Sequence, residues 1–289
     1  MSGRSWRASH HHNQPWKHMM IWGAIAFTFL PVVWIVSASL DPSNSLASST
    51  VIPKYASFDN FKTIFTDRQQ PIGKWYLNTL KVSCLTSILV VMVTSLMGYA
   101  FSRLRFRGRR SGLYTLVLLQ MFPQMLAMVA IYLILFTAGQ YIPAFGLDTH
   151  TSLILVYLGG AIGVNVWLIK SYFDTIPRSL EESVYIDGAT PFQSFLHIML
   201  PLARPILAVT FFLQFMATYS EFVLAKILLA TSDKYTMAVG LHNFIAEKYA
   251  QRWGVFSAAS LLGAIPILIL FWALQKQLVS GLTRGAVNE

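Results

Sequence analysis

The sequence reads ESVYIDGATPFQSFLHIMLP over residues 182–201, a polar island between long apolar runs. Ser179 and Glu182 have the spacing of a capping box, in which the serine side chain accepts from a main-chain N–H three residues on and the glutamate side chain reaches back. A short helix is therefore expected to begin at Ser179. Gly188 suits the left-handed residue that closes such a helix, because it has no Cβ to clash.

A second short helix is expected after this glycine. Thr190-Pro191-Phe192-Gln193 forms another capping box, with proline at the first helical position. The helix should end before Pro201, because proline disfavours helical backbone in the residue before it. Local chemistry leaves two interpretations open: a loop packed on its own membrane helices, or a surface that binds a partner. The apolar side of the two helices would comprise Leu180, Val184, Phe192, Phe195, Leu196 and Ile198.

The composition is that of an integral membrane protein. Of the 289 residues, 55% are hydrophobic and 12% are charged, whereas soluble domains have about 45–50% apolar and about 25% charged residues. The net charge is +10, but the basic residues flank apolar runs, where they report topology rather than nucleic-acid binding. The single cysteine, Cys84, excludes a disulfide framework and a cysteine metal cluster.

Six apolar stretches predict an all-α polytopic membrane protein with six transmembrane helices. Each stretch is long enough to cross about 30 Å of hydrocarbon as a helix. They cover residues 19–40 and about 80–102, 113–136, 152–169, 205–229 and 255–275. Residues 41–79 are expected to form an extracytoplasmic loop, residues 80–275 a core of five spans, and residues 1–18 and 276–289 two tails. Within the third span, Pro123 is expected to kink the helix.

The N-terminal region has alternative interpretations. The first apolar stretch could be a cleaved signal peptide, since Ser37-Ala38-Ser39 resembles a cleavage site. Its apolar core exceeds the usual length of about 7–15 residues, however, which favours a membrane helix. Upstream, His10-His11-His12 lies in a polar, basic segment that is expected to be a solvated tail, with a weak metal site as the alternative.

The densest basic cluster sets the expected orientation. Arg103, Arg105, Arg107, Arg109 and Arg110 directly follow the second span, and the positive-inside rule places such a cluster in the cytoplasm. A nucleotide-phosphate site is the alternative, but the cluster has no glycine-rich cradle beside it. Both termini are then cytoplasmic.

The polar stretch also resembles a known family. The spacing of Glu182, Asp187-Gly188-Ala189 and Leu200-Pro201 is similar to the cytoplasmic EAA loop of ABC-importer permease subunits, although Ser183 and Val184 stand where two alanines are usual. Other stretches resemble the carbohydrate branch of this family, and within it the permeases for maltose and maltodextrin: residues 120–123, 141–143, 157–160, 235–240 and 281–287.

This resemblance implies the fold of a type I ABC importer permease, with residues 171–204 as a coupling loop that seats in a groove of a separate ATPase subunit. The residues implied in that contact are Glu182, Asp187, Gly188, Ala189, Phe195, Ile198, Leu200 and Pro201. The implied partners are a homologous second permease subunit, two copies of the ATPase subunit, an extracytoplasmic sugar-binding protein and membrane lipid. The implied location is the bacterial cytoplasmic membrane, and the implied cargo is a neutral oligosaccharide.

The chain itself is not expected to be an enzyme or to bind a cofactor or a metal. Its sequence contains no Gly-x-x-x-x-Gly-Lys-Ser/Thr phosphate loop, no His-Glu-x-x-His and no nucleophile elbow. ATP and magnesium are accordingly expected on the ATPase subunit. A secondary transporter is the main alternative, but it needs ionisable residues within several spans, and only Glu221 and Lys226 qualify. An ABC permease for trehalose or glycerol 3-phosphate also remains open.

Polar residues in the fifth span recur at steps of four, four and three: Thr210, Gln214, Thr218 and Glu221. These steps place them on one helical face, which predicts that the face lines the translocation path. For Thr210 and Thr218, hydrogen bonds to neighbouring helices are an equal alternative. Glu221 is a functional candidate because a carboxylate at membrane depth is costly unless it meets water or a partner.

A further candidate site lies between the fifth and sixth spans, at Gly240, Leu241, His242, Asn243 and Phe244. Sugars are commonly held by aromatic faces together with amide and hydroxyl hydrogen bonds, so this segment suits a sugar or a sugar-binding partner. The resemblance implies contact with the binding protein here. The alternative is an interfacial aromatic belt that anchors the spans.

Overall fold

The computed structural model describes residues 15–44, 55–67, 70–246 and 252–286. The predictions for His10, His11 and His12 therefore lie outside the described residues. Over these ranges the chain forms a succession of helices. They are α1 (Pro15–Leu40), α2 (Asp59–Thr66), α3 (Ile72–Arg103), α4 (Arg109–Gln120), α5 (Gln124–Tyr141), α6 (His150–Thr175), α7 (Ser179–Ile186), α8 (Pro191–Ser194), α9 (Leu200–Leu202), α10 (Arg204–Ser220), α11 (Val223–Leu228), α12 (Met237–Ala246) and α13 (Trp253–Ala286).

Within the described ranges, four helices are long and apolar enough to cross a membrane singly: α1, α3, α6 and α13. Two further spans arise if bent pairs are counted as one each. Helices α4 and α5 meet at 101°, and the run from α8 to α9 meets α10 at 75°. By length and composition, the described residues thus form four to six spans, a range that includes the predicted six, although the second bent pair begins at Pro191, upstream of the predicted fifth span.

Helix α3 is the centre of the bundle, packing against both α6 and α10. Its buried face is built largely of small residues, among them Ser83, Ser87 and Thr94. Small side chains allow membrane helices to approach closely. The approach is close at Gly98, where an added Cβ would lie 2.9 Å from Cγ2 of Ile169 on α6.

Helix α1 stands at the edge of the fold. Its apolar side chains are exposed along most of its length, and burial is confined to Ser37, Ala38 and Ser39 in the last turn. It packs on α13, and Asn60 of α2 fixes its end by donating to the carbonyl of Ser39 at 3.0 Å. The exposed remainder suits contact with lipid.

The segment 41–79, predicted to be an extracytoplasmic loop, is partly helical over its described residues. It contains α2, and α3 begins at Ile72 instead of near residue 80. Polar residues at 74 and 78 make this stretch look like loop in the sequence, but they are bonded in the structure. Lys74 pairs with Asp233 at 2.7 Å, and Asn78 donates to the carbonyl of Tyr235 at 3.0 Å.

Two predicted spans are broken. Pro123 has extended backbone, with ψ 117°, and separates α4 from α5, so the predicted kink is a complete break. The predicted fifth span ends as α10 at Ser220, and Glu221 is extended, with ψ 127°, before the short α11 begins. Two other helices continue beyond their predicted ends, α6 to Thr175 and α13 to Ala286.

Candidate functional site

The first short helix of the polar island closes as predicted. Gly188 follows α7 with φ +83°. Its N–H donates to the carbonyl of Tyr185, and the N–H of Ala189 donates to that of Val184, both at 3.1 Å. These two bonds form a Schellman motif, which uses a left-handed residue to satisfy the last carbonyls of a helix.

The start of α7 differs from the prediction. The helix begins at Ser179, but Ser179 does not cap it, and the N-cap position is Arg178 with helical backbone. The N–H of Leu180 donates to Pro177 O at 3.3 Å, and that of Glu182 to Arg178 O at 3.0 Å. Because the Glu182 N–H already donates to Arg178 O, it does not bond the Ser179 side chain as the predicted box requires.

The second capping box is present. The Gln193 N–H donates to Thr190 Oγ1 at 3.3 Å, and the Thr190 N–H donates to Gln193 Oε1 at 2.8 Å. The helix then continues past Pro201 to Leu202, whereas it was predicted to end before Pro201. A π-helical turn, Phe195–Met199, precedes this proline. Its wider hydrogen-bond spacing relaxes the main chain that the ring would otherwise clash with.

The predicted coupling residues fall into three groups by exposure. Glu182, Asp187 and Gly188 are exposed at the tip of the loop, whereas Phe195 is only 3% exposed. Ala189, Ile198, Leu200 and Pro201 are half-buried between these extremes. Phe195 faces inward and its ring packs against Tyr99 at 5.0 Å between centroids.

An exposed apolar tip is a feature that sequence reasoning only half identified. Phe192 was placed on the apolar side and is 60% exposed, but Ile186, which is 87% exposed, was missed. The signal for Ile186 was its position two residues before Gly188, at the end of the first helix. Two large apolar side chains held in solvent beside charged ones are typical of a protein–protein contact.

Glu181 is the second residue that sequence reasoning missed. The motif pointed to Glu182, which is exposed, yet its neighbour Glu181 is 3% exposed. The Glu181 carboxylate forms a buried ion pair with Arg103 in the last turn of α3. Arg103 also donates to the carbonyl of Ile176 at 2.7 Å. Charge pairing between these two segments ties the loop to the end of a membrane helix.

A cavity of about 660 Å³ lies between α4, α5, α6, α10 and α11. Among its lining residues are three from the predicted polar stripe: Gln214, Thr218 and Glu221. Gln214 donates to the Thr218 hydroxyl at 3.0 Å. The opposite wall contributes Gln120, whose amide donates to the carbonyl of Gly160 at 3.1 Å.

Thr210 does not belong to this group. It is fully buried, and within the described part of the chain its hydroxyl has no hydrogen-bond partner. The structure therefore supports neither the path nor the predicted alternative of an interhelical hydrogen bond at this position.

Glu221 holds the broken span together. Its carboxylate accepts from the N–H of Leu224 at 2.8 Å and from that of Ala225 at 3.1 Å. A third donor is the Tyr157 hydroxyl on α6. The two amides are among those that a helix start leaves unsatisfied, so the carboxylate caps α11 much as an N-cap side chain would. Glutamate is not a favoured capping residue, which is why the break could not be read from the sequence.

The candidate segment at residues 240–244 lies in a helix, α12, and two of its five predicted contact residues are in the core. A Cβ at Gly240 would lie 2.0 Å from Cε3 of Trp75, and Phe244 is 2% exposed. Leu241, His242 and Asn243 are half-buried. The amino-acid types suggested a binding surface, but the face that each side chain takes on α12 was set by packing on Trp75.

The segment before α12 is tied to the loop between α5 and α6. Asp148 accepts from the N–H groups of Ala230 at 2.9 Å and Thr231 at 3.0 Å, and pairs with Lys234 at 3.0 Å. Burial alone would raise the pKa of Asp148, but the hydrogen bonds from Thr231, Ala230 and Lys234 outweigh it and hold that pKa well below its usual range.

Broken membrane helices around a cavity, with a hinged loop at one end of the bundle, are typical of a membrane-transport permease. The chain belongs to the family described as "Binding-protein-dependent transport system inner membrane component", whose model matches residues 90–284. It is thus a multi-pass inner-membrane protein, and the predicted class, a permease and not an enzyme, is confirmed.

Similar proteins span nearly the whole chain. The maltose/maltodextrin transport system permease protein MalG of Vibrio vulnificus strain YJ016 is 41% identical over 284 residues, which are 94% of each chain. The MalG protein of Photorhabdus laumondii is 38% identical to this chain over 292 residues, which cover 96% of this chain and 97% of the relative. That of Escherichia coli K12 is 39% identical over 283 residues, 94% of each.

Solved structures confirm the fold. A bacterial ABC transporter involved in the import of the acidic polysaccharide alginate matches with a TM-score of 0.75 and 23% identity, over 91% of this chain and 95% of that one. A bacterial alginate ABC transporter in complex with alginate pentasaccharide-bound periplasmic protein matches with a TM-score of 0.62 and 18% identity, over 89% and 92%. The predicted all-α permease fold is therefore confirmed.

Proposed function

We propose that this chain is one permease subunit of an ABC importer that carries a maltose- or maltodextrin-type oligosaccharide across the inner membrane. The observation that carries the proposal is the combination, in one chain, of an exposed apolar hinge loop with a cavity between broken helices. The substrate class is proposed from the relatives named above, which are 41%, 38% and 39% identical to this chain over nearly its whole length.

The loop is proposed to bind the ATPase subunit. Ile186 and Phe192 are the apolar anchors, because burying side chains that are 87% and 60% exposed removes apolar area from water. Glu182 and Asp187 are exposed beside them and supply charge at the rim. Gly188 fixes the angle between the two short helices and so the shape of the contact.

The cavity is proposed to be part of the translocation path. Its polar groups are mostly uncharged amides and hydroxyls, from Gln120, Gln214 and Thr218, and such groups exchange hydrogen bonds with sugar hydroxyls. The one carboxylate, Glu221, is engaged by two main-chain amides and a tyrosine. That structural engagement favours the ABC mechanism over an ion-coupled one, in which the acid would have to release its partners to carry an ion.

The proposed assembly contains a homologous second permease subunit, two ATPase subunits and an extracytoplasmic sugar-binding protein. ATP and magnesium would be bound by the ATPase subunits and not by this chain. The loop, the arginine cluster and both termini would face the cytoplasm. In support of this orientation, Arg103 at the head of the cluster is bonded to Glu181 of the loop, so cluster and loop share one side of the bundle.

Transport would follow alternating access. Closure of the ATPase dimer by ATP would move the loop, and the helices around the cavity would exchange an inward-open for an outward-open arrangement. On the outer side, the binding protein would meet the half-buried residues Leu241, His242 and Asn243. Gly240 and Phe244 would support that surface from beneath.

The test is reconstitution of the complex with its partner chains in proteoliposomes. Uptake of radiolabelled maltose should require ATP at the ATPase face and the binding protein, and should persist when ionophores collapse the proton and sodium gradients. Competition by unlabelled trehalose and glycerol 3-phosphate tests the substrate class. Uptake that follows an ion gradient without ATP would favour a secondary transporter, and uptake blocked by trehalose but not by maltodextrin would reassign the sugar.

A further inference from the structure

We infer that the loop drives α3 directly, through Tyr99, Arg103 and Glu181, and that Tyr99 and Glu181 are positioning residues for coupling. The inference rests on the proposed function. It adds the part of the chain that would transmit the movement. The C-terminal end of α3, which is far from the loop in sequence, would be displaced when the ATPase moves the loop, and α3 would pass this displacement to the cavity.

The Tyr99 hydroxyl is the point where both short helices of the loop meet α3. It lies 3.3 Å from the Glu181 carboxylate and 3.3 Å from the Tyr185 hydroxyl, both on α7. It also donates to the carbonyl of Pro191, the first residue of α8, at 3.0 Å. One oxygen therefore contacts the chain on either side of Gly188, so neither half of the hinge can move without changing a contact to α3.

The charge pair beside this hydroxyl strengthens the connection. The side chains of Arg103 and Glu181 are 7% and 4% exposed. Separating them would leave two charges buried without a partner, which is much costlier than breaking an ion pair in water. The pair is therefore expected to stay closed while the loop moves, so that α3 moves with it.

Contacts to α6 extend the junction to a second membrane helix. Arg103 donates to the carbonyl of Ile176 at 2.7 Å, just after α6 ends. Ser102 donates to the Asp174 carboxylate at 2.6 Å within the last turn of α6. The ring of Tyr99 stands edge-on to Phe173 at 6.4 Å between centroids.

The movement would reach the cavity through packing already described. Helix α3 packs along α6 and α10, and both of these line the cavity. At Gly98, one residue before Tyr99, an added Cβ would lie only 2.9 Å from Ile169 of α6. Such close packing transmits displacement, because packed interfaces shift between discrete arrangements and do not deform continuously.

Neighbouring glutamates thus have different roles in this scheme. Glu182 is exposed and available to the ATPase, whereas Glu181 points inward to Arg103. A change at Glu182 should weaken ATPase binding. A change at Glu181 should leave the ATPase bound but reduce how much sugar moves for each ATP hydrolysed.

The experiment compares Glu181→Gln, Tyr99→Phe and Glu181→Asp in the reconstituted complex. Three quantities are measured: co-purification of the ATPase subunit, ATP hydrolysis, and uptake of radiolabelled maltose. Asp67→Asn is the matched control, because it removes an ion pair with Arg252 on the outer side of the bundle. Tyr99→Phe removes a single oxygen and keeps the ring contacts to Phe195 and Phe173.

With the ATPase fully bound, Glu181→Gln should lower uptake per ATP by about fivefold or more, the lower end of energetic couplings between sites. Tyr99→Phe should lower it in the same direction, and Glu181→Asp should recover part of the loss by restoring a carboxylate. Asp67→Asn should leave the ratio unchanged. If Glu181→Gln fails to insert, Tyr99→Phe decides alone.

An unchanged ratio of uptake to hydrolysis in Glu181→Gln and Tyr99→Phe, with the ATPase bound, would overturn the inference while leaving the proposed function intact. A loss in the variants that equals the loss in Asp67→Asn would also overturn it, since general destabilisation would then explain the result. Failure of the wild-type complex to take up maltose with ATP would instead refute the proposed function.

Discussion

The hydroxyl of Tyr157 on α6 donates a hydrogen bond to the carboxylate of Glu221, at the break between α10 and α11. The same carboxylate accepts from the N–H groups of Leu224 and Ala225 in the first turn of α11. Glu221, which the sequence identifies as a candidate for transport, therefore also lies at the end of α10 and caps the start of α11. Its two roles can be separated by substitution.

Glu221→Ala should destabilise the protein by about 1–2 kcal/mol, because it removes the acceptor that caps α11. Glu221→Gln keeps a carbonyl oxygen for these amides and should lose less. The measurement is the midpoint of thermal unfolding of the detergent-purified complex, with maltose uptake in parallel. Tyr157→Phe, which removes one donor, should lie between Gln and wild type. Equal midpoints for the Ala variant and wild type would refute the capping role.

Gly188→Asp should abolish uptake and release the ATPase subunit, while membrane insertion remains intact. The backbone at Gly188 has φ +83° and no atom lies within 4 Å of an added Cβ. The cost is therefore conformational, of order 1 kcal/mol for any side chain, and Asp adds a charge at the proposed contact. Gly73→Ala is the matched control, since Gly73 is also open but is helical. Normal uptake with bound ATPase in Gly188→Asp would show that the hinge is dispensable.

Cysteine labelling tests whether the cavity is wet during transport. In a Cys84→Ala background, Gln214→Cys and Glu221→Cys should react with a hydrophilic thiol reagent, because both positions line the cavity. Thr210→Cys should be protected, because Thr210 is fully buried. Protection of positions 214 and 221 in every nucleotide state would argue against a path through this cavity.

Two positions of helix α12 allow its packing and its proposed binding role to be tested separately. Gly240→Ala should destabilise the protein by about 1–3 kcal/mol, the usual cost of overpacking, because the new methyl group would overlap Trp75. Asn243→Ala should leave stability unchanged but weaken the stimulation of ATP hydrolysis by the sugar-loaded binding protein. Thermal unfolding and ATPase assays distinguish the two. Full stimulation in Asn243→Ala would favour the aromatic-belt interpretation of this region.

The hydrogen bonds that Asp148 accepts from Ala230 and Thr231, and its ion pair with Lys234, should resist mild acid. Its folded pKa is depressed, so its contribution to stability is fully present above the unfolded pKa of about 3.9 and is lost as pH falls through the folded value. Lowering the pH from 7 to 5 should therefore not break these contacts of Asp148. Asp148→Asn should lower the unfolding temperature at pH 7, and that difference should persist unchanged at pH 5. A difference that disappears between these pH values would contradict the assignment.

Some local signals were read correctly from the sequence, although the Ser179 box and the helix end before Pro201 were not, and long-range contacts could not be read from it. Gly188 and the Thr190 box were predictable because their hydrogen bonds stay within a few residues. Glu181 could not be distinguished from Glu182, because its inward orientation depends on Arg103, 78 residues away. The burial of Phe244 depends likewise on Trp75.

Helix α3 is attached at both of its ends. Near its start, Trp75 donates to the carbonyl of Ser232 at 2.7 Å, and in its last turn Arg103 is paired with Glu181. Inserting or deleting one residue between them would rotate one attachment against the other by about 100° and shift it by about 1.5 Å. The number of residues in this helix is thus constrained as tightly as the identity of any one of them, and length polymorphism should be confined to the segments outside it.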